Sequence, residues 1–145
     1  MSENYDIETM ESYAEKGDAF ANVVLFSYYS NIKQYLKAEK VGLNIYVQTI
    51  PKDQYLTFEN AMILYSKSEE NTAKEAAYLI YLKDRHDGRI DAQRLDFLIK
   101  MHGMKKVNNE LSKLENYITR LSEKLPENSI SWAVKPLHIQ KRADG

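Results

Sequence analysis

The chain has 145 residues, 43% of them hydrophobic and 28% charged, with a formal net charge of −1, five Gly, three Pro and no Cys. That balance belongs to a single globular domain, and the scarcity of Gly and Pro disfavours a many-turned all-β fold. The missing cysteines exclude a disulfide framework, a thiolate nucleophile and a Cys-ligated metal, and fit a reducing, cytoplasmic setting; the near-zero net charge gives no general attraction to nucleic acid or anionic membranes.

The first 18 residues hold six acidic side chains against the single Lys16. With no apolar stretch behind a basic start, they do not read as a secretory or transit signal. No run of about 18 apolar residues occurs, so no membrane span is expected. Residues 5–16 read as a short acidic helix stopped at Gly17. Asp18 caps a second helix over 19–38, with an apolar stripe of Ala21, Val24, Leu25, Tyr28, Ile32, Tyr35 and Leu36. Residues 40–51 differ. Leu43, Ile45, Val47 and Thr49 alternate with Asn44, Tyr46 and Gln48, which suits a short strand or an extended loop, and the segment is taken as a connector.

Pro51 and Asp53 announce a helix over 54–68, in which Tyr55, Phe58, Ala61, Met62 and Tyr65 keep helical spacing. Asn71 or Thr72 caps the next, over 73–85, and Asp87-Gly88 breaks it. Asp91 caps a helix over 92–102 that Gly103 closes. The longest spans 104–125 and ends at Pro126. Six helices on short connections predict an all-α fold of antiparallel hairpins, stacked as a short solenoid or bundle and closed by the long C-terminal helix. Residues 1–126 form the domain on this reading, and 127–145 are a C-terminal extension.

Two stretches look alike. One is Tyr13-Ala14-Glu15-Lys16-Gly17-Asp18-Ala19-Phe20-Ala21, followed at a distance by Ile50-Pro51-Lys52-Asp53. The other runs from Tyr65 through Asn71-Thr72-Ala73-Lys74-Glu75-Ala76-Ala77-Tyr78 to Gly88-Arg89-Ile90-Asp91. Over residues 5–103 the chain resembles the Sel-one-like branch of the tetratricopeptide repeats, with the 40–50 segment as an insertion. The resemblance implies hairpins that stack into a curved solenoid whose concave face binds peptides or proteins.

No chemistry-bearing motif competes with that reading. Around Asp87-Gly88, a calcium loop would place Lys83, Arg85 and Arg94 where carboxylates are needed. His86, His102 and His138 lack ligand spacing, so no metal or other cofactor is expected. Ser27, Ser30 and Ser66 lie within helices without a nucleophile elbow, and no Gly-rich phosphate loop exists. A catalytic set such as His86 with Asp87 or Glu75 would have to be assembled by the fold.

The eleven tyrosines are more informative. Core packing accounts for most of them, but helices this aromatic leave rings over for a surface. Phe26, Tyr29 and Lys33 share one face, as do Tyr78, Tyr81 and Arg85. Tyr and Arg are the residues of interface hot spots, so these six are the candidate partner-binding residues. In the last helix Met104, Val107, Leu111, Leu114, Ile118, Leu121 and Leu125 follow each other in steps of three and four. That is an a/d seam over three heptads. It either packs lengthwise on its own domain or pairs two copies as a homodimer, through Val107, Leu111, Leu114, Ile118 and Leu121.

Two functions follow. The first is a non-catalytic protein-interaction module, an adaptor, inhibitor or immunity-type protein, working as monomer or homodimer. The second is a dimeric nucleic-acid-associated regulator using Arg85, Arg89, Arg94, Lys105 and Lys106 on phosphates. The tail from Lys135 to Arg142 adds basic side chains that could touch phosphate or an acidic partner, although a short terminus of this kind is usually only solvated.

Overall fold

A computed structural model describes residues 6–131. The readings placed on the tail beyond Ser131, including its basic cluster, lie outside the described residues. Seven α-helices account for most of the rest: α1 (Ile7–Glu15), α2 (Ala19–Asn31), α3 (Tyr35–Gln48), α4 (Gln54–Ser68), α5 (Thr72–His86), α6 (Ala92–His102) and α7 (Met104–Lys124), with a 3-10 turn at Pro51–Asp53 before α4. The fold is all-α, and each helix packs on its neighbour in sequence. In addition, α7 folds back along α5 and reaches α3. No described helix is long and apolar enough to cross a membrane.

Local signals set most boundaries. Gly17 has φ +93°; its N–H bonds to the Ala14 carbonyl and that of Asp18 to the Tyr13 carbonyl, both at 3.0 Å. This is a Schellman stop, a conformation in which glycine carries no Cβ penalty. Side chains also cap as expected: Asp18 Oδ1 accepts from Ala21 N, Asn71 Oδ1 from Ala73 N and Lys74 N, and Asp91 Oδ1 from Arg94 N. Each satisfies an amide that the first helical turn leaves without a partner.

The structure corrects the second helix and the connector. The chain turns at Lys33 (φ +63°), so the predicted 19–38 helix is cut short, and residues 35–48 form α3 instead of an extended segment. The stop is again of Schellman type: Lys33 N bonds to Ser30 O at 3.2 Å and Gln34 N to Tyr29 O at 2.9 Å. Here a lysine occupies the left-handed position, without the Gly or Pro that would announce a break. The predicted stripe splits with the helix. Ala21 and Leu25 are buried, whereas Tyr28, Ile32 and Leu36 are exposed.

The strand-like alternation in α3 has a different origin. Leu43, Ile45, Tyr46, Val47, Gln48 and Thr49 are all buried, because α3 is covered by α2, α4 and α7. From Val41 to Thr49 every residue but the half-buried Asn44 is buried, so this stretch has no polar face to mark its period. At Gly42 it lies close against both α4 and α2: a Cβ there would be 3.0 Å from Ala61 Cβ and 3.1 Å from Phe26 Cε1.

The main core joins α3, α4, α5 and α7 around Phe58, Tyr78, Leu82 and Leu114. A second core joins α1, α2 and α3 around Leu25, Phe26 and Tyr29, and Ile130 belongs to it. Beyond Pro126 the chain therefore returns to the first hairpin. Ser129 N and Ile130 N donate to Gln48 O at 2.9 and 3.0 Å, and Ile50 N donates to Ile130 O at 2.9 Å.

Candidate partner-binding cleft

The seam of α7 is used within the chain. Val107, Leu114, Ile118 and Leu121 are buried and Leu111 half-buried, in cores built with α3 to α6. Beside that seam runs a second stripe at steps of three, four and three: Glu110, Lys113, Tyr117 and Arg120. Once the seam faces the core, this stripe faces the opening between α7 and the ends of α3 and α5. The result is a cleft of about 400 Å³. Four cations line it: Lys40 from α3, Lys74 from α5, and Lys113 and Arg120 from α7.

At its base lies Glu39, whose side chain is only 2% exposed. A buried carboxylate must be paired to be tolerated. The Tyr78 hydroxyl donates to Glu39 Oε2 in a short hydrogen bond, and Lys74 Nζ sits 3.2 Å from the same oxygen. Lys74 also lies over the Tyr65 ring, 4.7 Å from its centroid. Burial first, and then the Glu39 charge, push the pKa values of the Tyr78, Tyr65 and Tyr117 phenols up. These hydroxyls stay protonated at neutral pH, Tyr78 as the donor that Glu39 needs.

The second carboxylate, Glu110, is also occupied within the chain: Asn71 Nδ2 donates to it at 3.4 Å and Lys113 Nζ is 3.8 Å away. Lys40 and Arg120 are exposed, with no carboxylate partner among the described residues. The cleft therefore offers, in Lys40 and Arg120, cationic donors that no carboxylate among the described residues pairs.

The six residues expected to form an aromatic binding surface lie elsewhere. Phe26, Tyr29, Tyr78 and Tyr81 are 5%, 5%, 0% and 4% exposed, so they pack the core and present no surface. Their helices are covered on two or more sides, which turns the ring-bearing faces inward. Tyr29 donates to Glu11 of α1, and Tyr78 contributes to the cleft only through Glu39. Lys33 is exposed at the α2–α3 turn, and Arg85 is exposed on α5. Arg85 bonds to Glu115 at 3.1 Å and covers the Tyr81 ring at 5.1 Å. Of the basic segment, Arg94 forms a two-pronged pair with Glu75 at 3.0 and 2.9 Å, and Lys100 pairs with Asp96 at 3.0 Å.

A second opening of about 400 Å³ adjoins Tyr46, Tyr81 and Arg85. The Tyr46 hydroxyl bonds there to His86 Nε2 at 2.6 Å and to Tyr81 at 3.2 Å. Burial pushes the Tyr46 phenol up, and burial together with Arg85 pushes His86 below its ordinary value of 6.5. A neutral imidazole against a protonated phenol ties α3 to α5. Among the described residues, no three His, Asp or Glu side chains are placed to hold a metal ion.

Glu39 was out of reach of sequence reasoning because residue 39 fell beside the assumed connector. The α7 stripe lies beside the apolar seam, and which elements it faces is set by the packing of α3 and α5 on that seam. No family model, no curated protein and no solved structure matches this chain.

Proposed function

We propose that the chain is a non-catalytic module that binds another protein, as an adaptor, inhibitor or immunity-type protein, and that it does so at the cleft between α3, α5 and α7. The observation that carries this reading is the division of labour inside the cleft. Glu39 and Glu110 are satisfied within the chain, whereas Lys40 and Arg120 stand at the rim without carboxylate partners among the described residues. Charges held out at a concave surface, next to a tyrosine, are the materials of a recognition site.

The spacing of the hairpins supports the tetratricopeptide-like reading. Helices α2, α4 and α6 start at residues 19, 54 and 92, so that each hairpin begins 35 or 38 residues after the last, in a register that pairs α2 with α4 where the two similar stretches pair it with α5. Repeats of that length stack into surfaces that bind proteins. A cytoplasmic setting belongs to the same proposal, for a chain without cysteine.

The test is capture from a lysate of the native host with the tagged chain, with and without nuclease, beside a Lys40→Glu/Arg120→Glu variant. One protein retained after nuclease by the parent chain and lost by the variant is the expected result. Recovery of nucleic acid, or of proteins that nuclease releases, would move the regulator reading to the front.

A further inference from the structure

We infer that the segment this cleft receives is an extended acidic stretch of the partner protein, with its Asp and Glu side chains meeting Lys40, Lys113 and Arg120. The inference rests on the cleft being the protein-binding site, and it names the class of partner.

Three features of the cleft specify carboxylates. First, what the rim offers is donors: two lysine ammonium groups, one guanidinium and the Tyr117 hydroxyl. Carboxylates are the side chains that only accept, and an arginine fork takes one with two parallel hydrogen bonds. Second, the inward charge is already balanced. Glu39 holds Lys74 and the Tyr78 hydroxyl, and Glu110 holds Lys113 at only 3.8 Å, a pair loose enough to exchange for a closer partner. The carboxylates at the base therefore do not offset Lys40 and Arg120.

Third, the site is short. From Glu110 to Arg120 the stripe covers about 15 Å of helix, at about 1.5 Å per residue. An extended peptide spans that length with about four or five residues. A nucleic acid engages a longer array of phosphates and is drawn by a broad positive surface. This chain has a net charge of −1 and keeps Arg85, Arg94 and Lys100 neutralised by their own carboxylates. A local cationic cleft on a neutral body selects a short acidic stretch over a polyanion.

The direct test is fluorescence anisotropy on the full chain with three labelled probes: a peptide of about ten residues of alternating Glu and Ala, its Gln counterpart, and a single-stranded oligonucleotide of equal charge. The Glu peptide should bind saturably and more weakly as salt rises, the Gln peptide should not bind, and the oligonucleotide should bind less tightly than the Glu peptide. Lys40→Glu/Arg120→Glu should weaken the Glu peptide on the order of tenfold, as two reversed exposed pairs would. Reversal of Lys52 and Lys67, which lie outside the lining, should leave affinity within about twofold. Circular dichroism of each variant confirms the fold, with Lys40→Gln/Arg120→Gln as the milder substitute.

Equal binding of the Glu and Gln peptides, tighter binding of the oligonucleotide, or equal loss on remote reversal would overturn the inference. Lysate capture separates the two levels. If the cleft variant loses the captured protein while the parent chain ignores the Glu peptide, the acidic class is wrong and the protein-binding cleft stands. If capture is unchanged in the variant, the cleft assignment itself fails.

Discussion

Asn22 Nδ2 donates to Gln48 Oε1 at 3.0 Å, with both side chains fully buried, and that one amide pair joins the start of α2 to the end of α3. Gln48 reaches further: its Nε2 donates to the Gly17 carbonyl at 2.7 Å, and Asn44 Nδ2 donates to Asn22 Oδ1 at 3.2 Å. The backbone carbonyl of Gln48 receives Ser129 and Ile130. One residue thus ties the first interhelical turn, α2 and the returning C-terminal segment together. Gln48→Ala removes two side-chain bonds and leaves the Asn22 amide and the Gly17 carbonyl short of partners. It should cost about 3 kcal/mol, read by urea denaturation. A change below about 0.5 kcal/mol would show that water replaces the amide without penalty.

Gly42 governs the contact between α3 and α4. A valine there would drive into Ala61, which cannot move without its backbone, and into Phe26. Gly42→Val should destabilise by about 1–3 kcal/mol, the cost of overpacking a filled core. Thermal melting by circular dichroism checks this, and an unchanged midpoint would mean the helices can separate freely at this point.

Tyr78 and Glu39 should be energetically coupled. Tyr78→Phe leaves a buried carboxylate with Lys74 alone, and the loss of a hydrogen bond to a charged group is worth about 1.5–3 kcal/mol. Glu39→Gln relieves the charge, so Tyr78→Phe should cost less in that background. A double-mutant cycle measures the difference. Additive effects would show that the two side chains do not depend on each other.

His86 makes the fold sensitive to mild acid. Its folded value lies below 6.5 because burial and then Arg85 disfavour the imidazolium. As pH falls through 6.5 the unfolded chain takes up this proton first, so stability falls with it. The loss stops once folded His86 is protonated as well. The Tyr46 hydroxyl and the Tyr81 ring face it from α3 and α5, and burial keeps the Tyr46 phenol neutral across this window. Denaturation at pH about 7.5 and about 5.5 should differ more for the parent chain than for His86→Gln. A titration of the His86 ring by NMR at or above 6.5 would contradict this account.

The sequence was legible wherever structure rests on short-range hydrogen bonding. Gly17, Asp18, Asn71 and Asp91 act on amides and carbonyls within a few residues of themselves, and each acts as its residue type predicts. The bounds of α4, α6 and α7, the all-α class and the apolar seam of α7 follow from such signals and from helical periodicity. Long-range packing decided the rest. Lys33 stops α2 in a backbone conformation that nothing in its side chain favours. Burial of Val41 to Gln48, all but the half-buried Asn44, removes from that part of α3 the polar face by which a helix is recognised, so these residues mimic a strand. The faces of Phe26 and Tyr29, and of Tyr78 and Tyr81, carry rings suited equally to a core or an interface, and only the helices laid over them turned them inward. The same holds for the α7 seam, which meets α5 of its own chain. Lys74 and Tyr78 stand 35 and 39 residues beyond Glu39 along the chain, and only the stacking of α5 on its neighbours brings them to that one carboxylate.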